Sequence, residues 1–245
     1  MPYEKIISLV PSLTELIIDV GLADNLVGRT RFCVHPEEKV EQIPIIGGTK
    51  NPHMGKIREK NPDLIIANRE ENRKEDIEKL GEEFEIHLTE IATIEDALIT
   101  IHELGNLLGV SEKADSLASE ITQLLENRPD EPPQHAAYLI WRNPWMTVGG
   151  DTYINDVMEH WGLINVFKTR KRYPEISLNK LNRKRPHLIL LSSEPYPFKE
   201  KHIEELEEAS PGSQVVLVNG EWFSWYGSRM KEGFRKLNTW RKAIS

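Results

Sequence analysis

"IREKNPDLIIANRE" at residues 57–70 and "LNRKRPHLILLSSE" at residues 181–194 decide how this chain is built. They align without a gap at an offset of 124, and Lys60/Lys184, Pro62/Pro186, Leu64/Leu188, Ile65/Ile189 and Glu70/Glu194 are identical. Each reads as the end of a helix, a proline break and a short apolar strand. Proline stops the helix because it lacks an N–H and its ring clashes with the preceding turn. An apolar run without alternation fits a strand covered on both faces. Downstream, "DIEKL" (76–80) matches "HIEEL" (202–206), each ahead of another strand. Upstream, "LIIDVGL" (16–22) resembles "DVMEHWGL" (156–163): helix, glycine, leucine. Three matches in one order point to a duplicated α/β unit.

Around these stretches, strand and helix signals alternate. "KIISLV" (5–10), "NLVGRT" (25–30), "IPIIGG" (43–48), "LIIA" and "FEIHLTE" (84–90) read as strands of the first half. "AAYLIW" (136–141), "LILLSS" (188–193) and "QVVLVN" (214–219) read as strands of the second, with a last helix from about Ser228. Such alternation predicts parallel sheets covered by helices. Between the halves lie two amphipathic helices, 93–109 and 111–127, and the proline-rich "RPDEPPQ" (128–134). The second helix would be about 25 Å long. The expected organisation is an N-terminal α/β lobe over 1–110, a backbone helix and linker over 111–134, and a C-terminal α/β lobe over 135–245.

The 245 residues carry a formal charge of −8, which argues against nucleic-acid binding, where phosphates need a basic face. One cysteine, Cys33, excludes an internal disulfide and a cysteine-based zinc site. No apolar run approaches the ~20 residues that span a bilayer. The opening "MPYEKIISLVPSLTELIIDV" has acids and a proline where a signal peptide needs an apolar core, so a cytoplasmic location is expected, or a periplasmic or surface-anchored one if an export segment has been removed.

In an open parallel sheet, ligands sit beyond the carboxyl ends of the strands. The loops leaving those ends hold Phe32, Trp141, Trp145, Tyr196, Trp222, Trp225 and Tyr226, with Arg29, Arg31, Lys50, Arg69, Arg142 and Arg229 among them. The densest is "NGEWFSWYGSRM" (219–230), with four aromatics in twelve positions. Aromatics beside guanidinium groups suit a large, partly flat ligand with polar groups at its rim.

"IISLVPSLTELIIDVGLADNLVGRTRFCVHPEE", with "IPIIGG" and "KIREKNPDLIIANRE" after it, and "NPWMTVGGDTYINDVMEHWGLINVF" in the second half, resemble the cobalamin-, haem- and siderophore-binding proteins of ABC importers, most of all their vitamin B12-binding branch. The resemblance implies two Rossmann-like lobes with parallel sheets joined by a long backbone helix, and a ligand cleft between the lobes. It implies non-catalytic binding of a corrinoid such as cobalamin, a haem or an iron-siderophore, delivered by a monomer to an ABC permease. Phe32, Trp222 and Arg229 fall at ligand-contacting positions of that branch, and Arg69 also matches. Asn68 stands where the branch has an aromatic. Exported members dock through one glutamate per lobe. Lys74 stands at the first such position, amid Glu70, Glu71 and Glu75, and Glu200 is its counterpart in the second lobe.

The expected ligand-binding set is therefore Phe32, Arg31, Lys50, Arg69, Trp145, Trp222, Trp225, Tyr226 and Arg229, and the expected docking set is Glu70, Glu71 and Glu200. No cofactor is expected. His35 and His53, near these loops, are candidates to touch a metal in a bound ligand, and Cys33 fits a buried small residue. No G-x-G-x-x-G, Walker A or G-x-S-x-G pattern is present. The alternatives on the same fold are a cytosolic chelatase-like enzyme and a ligand sensor or storage protein.

Overall fold

A computed structural model describes residues 3–244. Along the chain run β1 (Ile6–Ser8), α1 (Pro11–Asp19), β2 (Leu26–Arg29), α2 (Glu37–Val40), β3 (Gly47–Gly48), β4 (Asn51–Pro52), α3 (Met54–Lys60), β5 (Leu64–Asn68), α4 (Lys74–Gly81) and β6 (Ile86–Thr89). Next come α5 (Ile94–Leu107) and α6 (Ser111–Glu126). Then follow β7 (Gln134–Trp141), β8 (Met146–Thr147), α7 (Tyr153–His160), β9 (Leu163–Asn165), α8 (Leu178–Lys184), β10 (Leu188–Ser192), α9 (Lys201–Ala209), β11 (Gln214–Val218), α10 (Glu221–Ser224) and α11 (Arg229–Ala243).

The chain divides into two compact units. The first takes residues 1–91, 95–121 and 226–230, and the second takes 92–94, 122–225 and 231–245. The division falls inside α6, between Ile121 and Thr122.

The first unit holds a parallel sheet in the order β2-β1-β5-β6. The second holds β11-β10-β7, with β9 parallel and β8 antiparallel to the remaining edge of β7. Read from the other side, β9-β7-β10-β11 repeats β2-β1-β5-β6, so the duplication seen in the sequence is one of topology. β5 and β10 are inner strands and are buried along their whole length. That is why both read as unbroken apolar runs.

The offset of 124 extends to details that no composition would reveal. The His53 ring nitrogen Nδ1 accepts the Lys56 N–H at 3.2 Å at the start of α3, and the Ser177 hydroxyl accepts the Lys180 N–H at 3.3 Å at the start of α8. Each bond satisfies one of the donors that a helix start leaves without a partner. Both helices end on a left-handed residue, Asn61 (φ 45°) and Arg185 (φ 47°), directly before the shared proline. Gly21 and Gly162, the glycines of the upstream sequence match, take φ of 93° and 68° after α1 and α7. Only glycine adopts such angles without a Cβ penalty.

Two expectations need correction. Residues 43–48 do not form a full strand: Ile45 makes a single parallel bridge to Arg29, and Gly47–Gly48 turns back on Asn51–Pro52 as a short hairpin. The aromatic stretch 219–230 is not all loop, because Glu221–Ser224 closes one helical turn. Four residues are too few to carry a periodic signal.

Candidate functional site

In the first unit, the loops leaving the carboxyl ends of β1 and β5 and the β3–β4 turn are tied together by one side chain, Asn72. Its Nδ2 donates to the Leu9 carbonyl at 3.2 Å and the Thr49 carbonyl at 3.0 Å, and its Oδ1 accepts the Asn68 N–H at 2.8 Å. Asn72 is buried, so each bond replaces one that water would otherwise make. Lys50 Nζ donates to the Glu70 carbonyl, and Arg73 donates to the Lys50 carbonyl at 3.3 Å. The Asn68 side-chain oxygen accepts the N–H groups of Glu70 and Glu71 at 2.8 and 3.3 Å.

On this framework stand exposed groups. Phe32 keeps 53% of its surface accessible, and the Arg31 guanidinium lies 6.0 Å from its ring centre. The Arg31 N–H donates to the Gly47 carbonyl at 2.9 Å, fixing this loop against the hairpin. Gly48 faces both side chains: a Cβ there would lie 3.4 Å from the Phe32 ring and 3.5 Å from Arg31 Nε. Arg69 is exposed and pairs loosely with Glu90 at 3.3 Å. The structure thus brings Phe32 and Arg31 into contact and leaves Lys50 and Arg69 on neighbouring loops of the same sheet edge.

Arg29 is different from the cation expected on this edge. It is buried, and its guanidinium donates to the carbonyls of Val40, Ile43, Thr30 and Cys33 at 2.5 to 3.2 Å. It stitches the 30–43 loop into the unit. Cys33 is buried between the hydroxyls of Thr14 and Thr30, 3.1 and 3.2 Å from its sulfur, and burial pushes its thiol pKa up. His35 is half-buried and His53 caps α3. No group of three metal-ligating side chains occurs among the described residues.

Tyr226 and Arg229 belong to the five-residue segment counted with the first unit. Tyr226 is only 7% accessible. Arg229 forks onto Glu15 of α1, with Nε to Oε2 at 3.0 Å and Nη2 to Oε1 at 2.5 Å. The two side chains are 13% and 8% accessible. Burial lifts the Glu15 pKa above its ordinary value, with Asp19 adding to it, while the Arg229 guanidinium and His35 pull the other way. Desolvation outweighs the partner's charge here. The Glu15 partnership is absent from any sequence pattern, since 214 positions separate the two residues.

In the second unit, the loops after β7, β10 and β11 carry the aromatics. Trp145 stacks on Phe198 (ring centres 5.9 Å apart, planes at 6°) and packs against the core of this unit. The Arg142 guanidinium sits 5.6 Å from the Trp145 ring and pairs with Glu205 at 2.8 Å, so it serves the fold. Trp141, 39% accessible, meets the edge of Tyr196. Trp222 and Trp225 are half-buried on and just after α10. Trp225 Nε1 donates to Glu194 Oε1 at 2.8 Å. Glu200 is exposed at the cap position of α9, and Lys74 opens α4 and pairs with Glu78 at 3.5 Å. No helix among the described residues is long and apolar enough to cross a membrane.

Two duplicated parallel-sheet units carry aromatic and cationic side chains on the loops at their carboxyl edges. The chain belongs to the periplasmic binding protein family, whose model matches residues 6–237. It is 25% identical over 253 aligned residues to the vitamin B12-binding protein of Pectobacterium carotovorum, covering 99% of this chain and 90% of the relative. It is 27% identical over 198 residues to that of Vibrio vulnificus, covering 78% and 72%. The fold superposes on the crystal structure of the periplasmic vitamin B12-binding protein of Vibrio cholerae with a TM-score of 0.83 at 23% identity, over 99% of this chain and 98% of the other. A periplasmic haem-binding protein of Pseudomonas aeruginosa gives 0.84 at 18% identity, over 99% and 94%.

The family is one of binding proteins, and it is periplasmic. This overturns the cytoplasmic location expected from the opening residues. The apolar positions of that stretch are the buried cores of β1 and α1, and core packing carries no address.

Proposed function

We propose that this chain binds a large metal-bearing ligand, a corrinoid first and a haem or iron-siderophore second, and passes it unchanged to an ABC permease. The observation that carries the proposal is Phe32, a large aromatic left more than half accessible on a loop whose backbone is fixed, beside Arg31. Exposing a ring on a rigid loop has a hydrophobic cost that stacking on a flat ligand recovers. Lys50 and Arg69 on the same unit, and Trp222 and Trp225 on the second, extend the contact set. The vitamin B12-binding and haem-binding names of the similar proteins support this ligand class. Trp145, Tyr226 and Arg229, expected as ligand contacts, are each also engaged within their own unit, by packing or by the Glu15 pair. Glu70, Glu71 and Glu200 are the proposed permease contacts, and the chain works as a monomer without a cofactor or catalytic step.

Titration of the purified protein with cyanocobalamin, and separately with haemin, followed by tryptophan quenching, tests the reading. Saturable binding of one of them, weakened by Phe32→Ala, is expected. Absence of binding of both at micromolar concentration would sink the corrinoid and haem assignments.

A further inference from the structure

The geometry points to Glu194 as the positioning residue that sets the orientation of Trp225, and through it the ligand preference of the second unit. This rests on the proposed binding role of Trp225. One carboxylate oxygen, Oε1, accepts both the Trp225 indole N–H and the Ser224 hydroxyl, each at 2.8 Å. An indole has a single donor, so fixing Nε1 fixes the ring's rotation about its stem. A charged acceptor makes that bond stronger than a neutral one would.

Glu194 is itself held. The Ser192 hydroxyl accepts the Glu194 N–H at 3.3 Å, donates to the Glu194 carbonyl at 2.5 Å and accepts the buried Tyr138 hydroxyl at 3.0 Å. The Ser193 hydroxyl accepts the Gly220 N–H at 2.9 Å. The two loops approach so closely that a Cβ on Gly220 would fall 2.4 Å from Ser192 Oγ and 2.6 Å from Glu194 Cγ. The chain from the β7 core to Trp225 is therefore a continuous series of short contacts through Tyr138, Ser192 and Glu194.

Glu194 is the counterpart of Glu70 at the offset of 124. In the first unit that position is held through its backbone carbonyl, by Lys50. In the second, the side chain reaches across to the next loop and takes hold of an aromatic.

The test has a ligand-free arm and a binding arm. In the apo protein, the Trp225 indole N–H resonance, assigned by its loss in Trp225→Phe, is expected to move upfield in Glu194→Ala and to stay near its wild-type place in Glu194→Gln, which keeps the acceptor. In the binding arm, Glu194→Ala is expected to weaken the better of cyanocobalamin and haemin about fivefold and to change their ratio, while adding nothing in a Trp225→Phe background. An unmoved indole resonance in Glu194→Ala, or an equal loss of affinity with and without the Trp225 indole, would overturn the proposal. If Glu194→Ala does not fold, Glu194→Asp withdraws the acceptor by one methylene and carries the same readouts. If wild type binds neither probe, the proposed function fails, and the indole resonance alone then decides whether Glu194 orients Trp225.

Discussion

Replacing Arg229 by methionine removes the guanidinium from Glu15 while keeping most of the side chain's apolar length. The carboxylate it leaves behind is 8% accessible, so water cannot take the place of the fork. Deleting one partner of a buried ion pair costs about 3–5 kcal/mol, because the other charge stays desolvated. Glu15 has an exit that limits the cost: its pKa already lies above the ordinary 4.5, and losing Arg229 removes a lowering influence, so it rises further. Between the unfolded and the native pKa, the variant therefore holds a proton at Glu15 that the unfolded chain releases. A raised native pKa contributes stability below the unfolded pKa, and that stability is lost as pH rises through the native value. The penalty of Arg229→Met is thus largest at neutral pH and shrinks toward pH 4.5. At pH 7 a cost of about 3 kcal/mol corresponds to a Tm lowered by roughly 6–12 °C for a chain of this size. Thermal and urea unfolding at pH 7 and pH 5 measure it, and Glu15→Gln/Arg229→Met, which removes both charges, recovers part of the loss. A pH-independent Arg229→Met effect under about 0.5 kcal/mol, or a double variant no better than the single, refutes the reasoning.

His202 gives a second pH dependence. It is buried among Tyr196 and Phe198, its Nδ1 accepts the Lys199 N–H at 2.9 Å, and burial, then Lys201 and Arg142, hold its pKa below the ordinary 6.5. The unfolded chain takes up that proton first, so stability falls as pH drops below 6.5 toward the native value, and His202→Gln flattens this part of the pH–stability curve. Arg185→Gly is expected to stabilise by about 0.5–1 kcal/mol, seen as a higher urea midpoint at unchanged m, because a glycine relieves the left-handed end of α8.

The repeat was legible because its strands are buried on both faces, which forces unbroken apolar runs, and because its helix ends need particular residues. Pro62 and Pro186 carry that information in plain view. What escaped the sequence depends on partners distant along the chain. Arg29 looks like any loop cation until four carbonyls converge on its guanidinium. Asn72 lies inside the charged stretch 69–76, yet it is buried and ties three loops together. Glu15 is one of the acids of the opening stretch, and its guanidinium partner arrives 214 positions later. Phe32, an aromatic on a loop after the second strand, is left in the open by the fold.

Residues 226–230 belong with the first unit, so dividing the gene between the two halves would split that unit. No single cut yields two self-sufficient halves. A fragment ending after Ile121 would hold Glu15 without its guanidinium, and the complementary fragment would carry Arg229 with no acid to receive it. Mixed in solution, the second piece should complement the first by returning residues 226–230 to it.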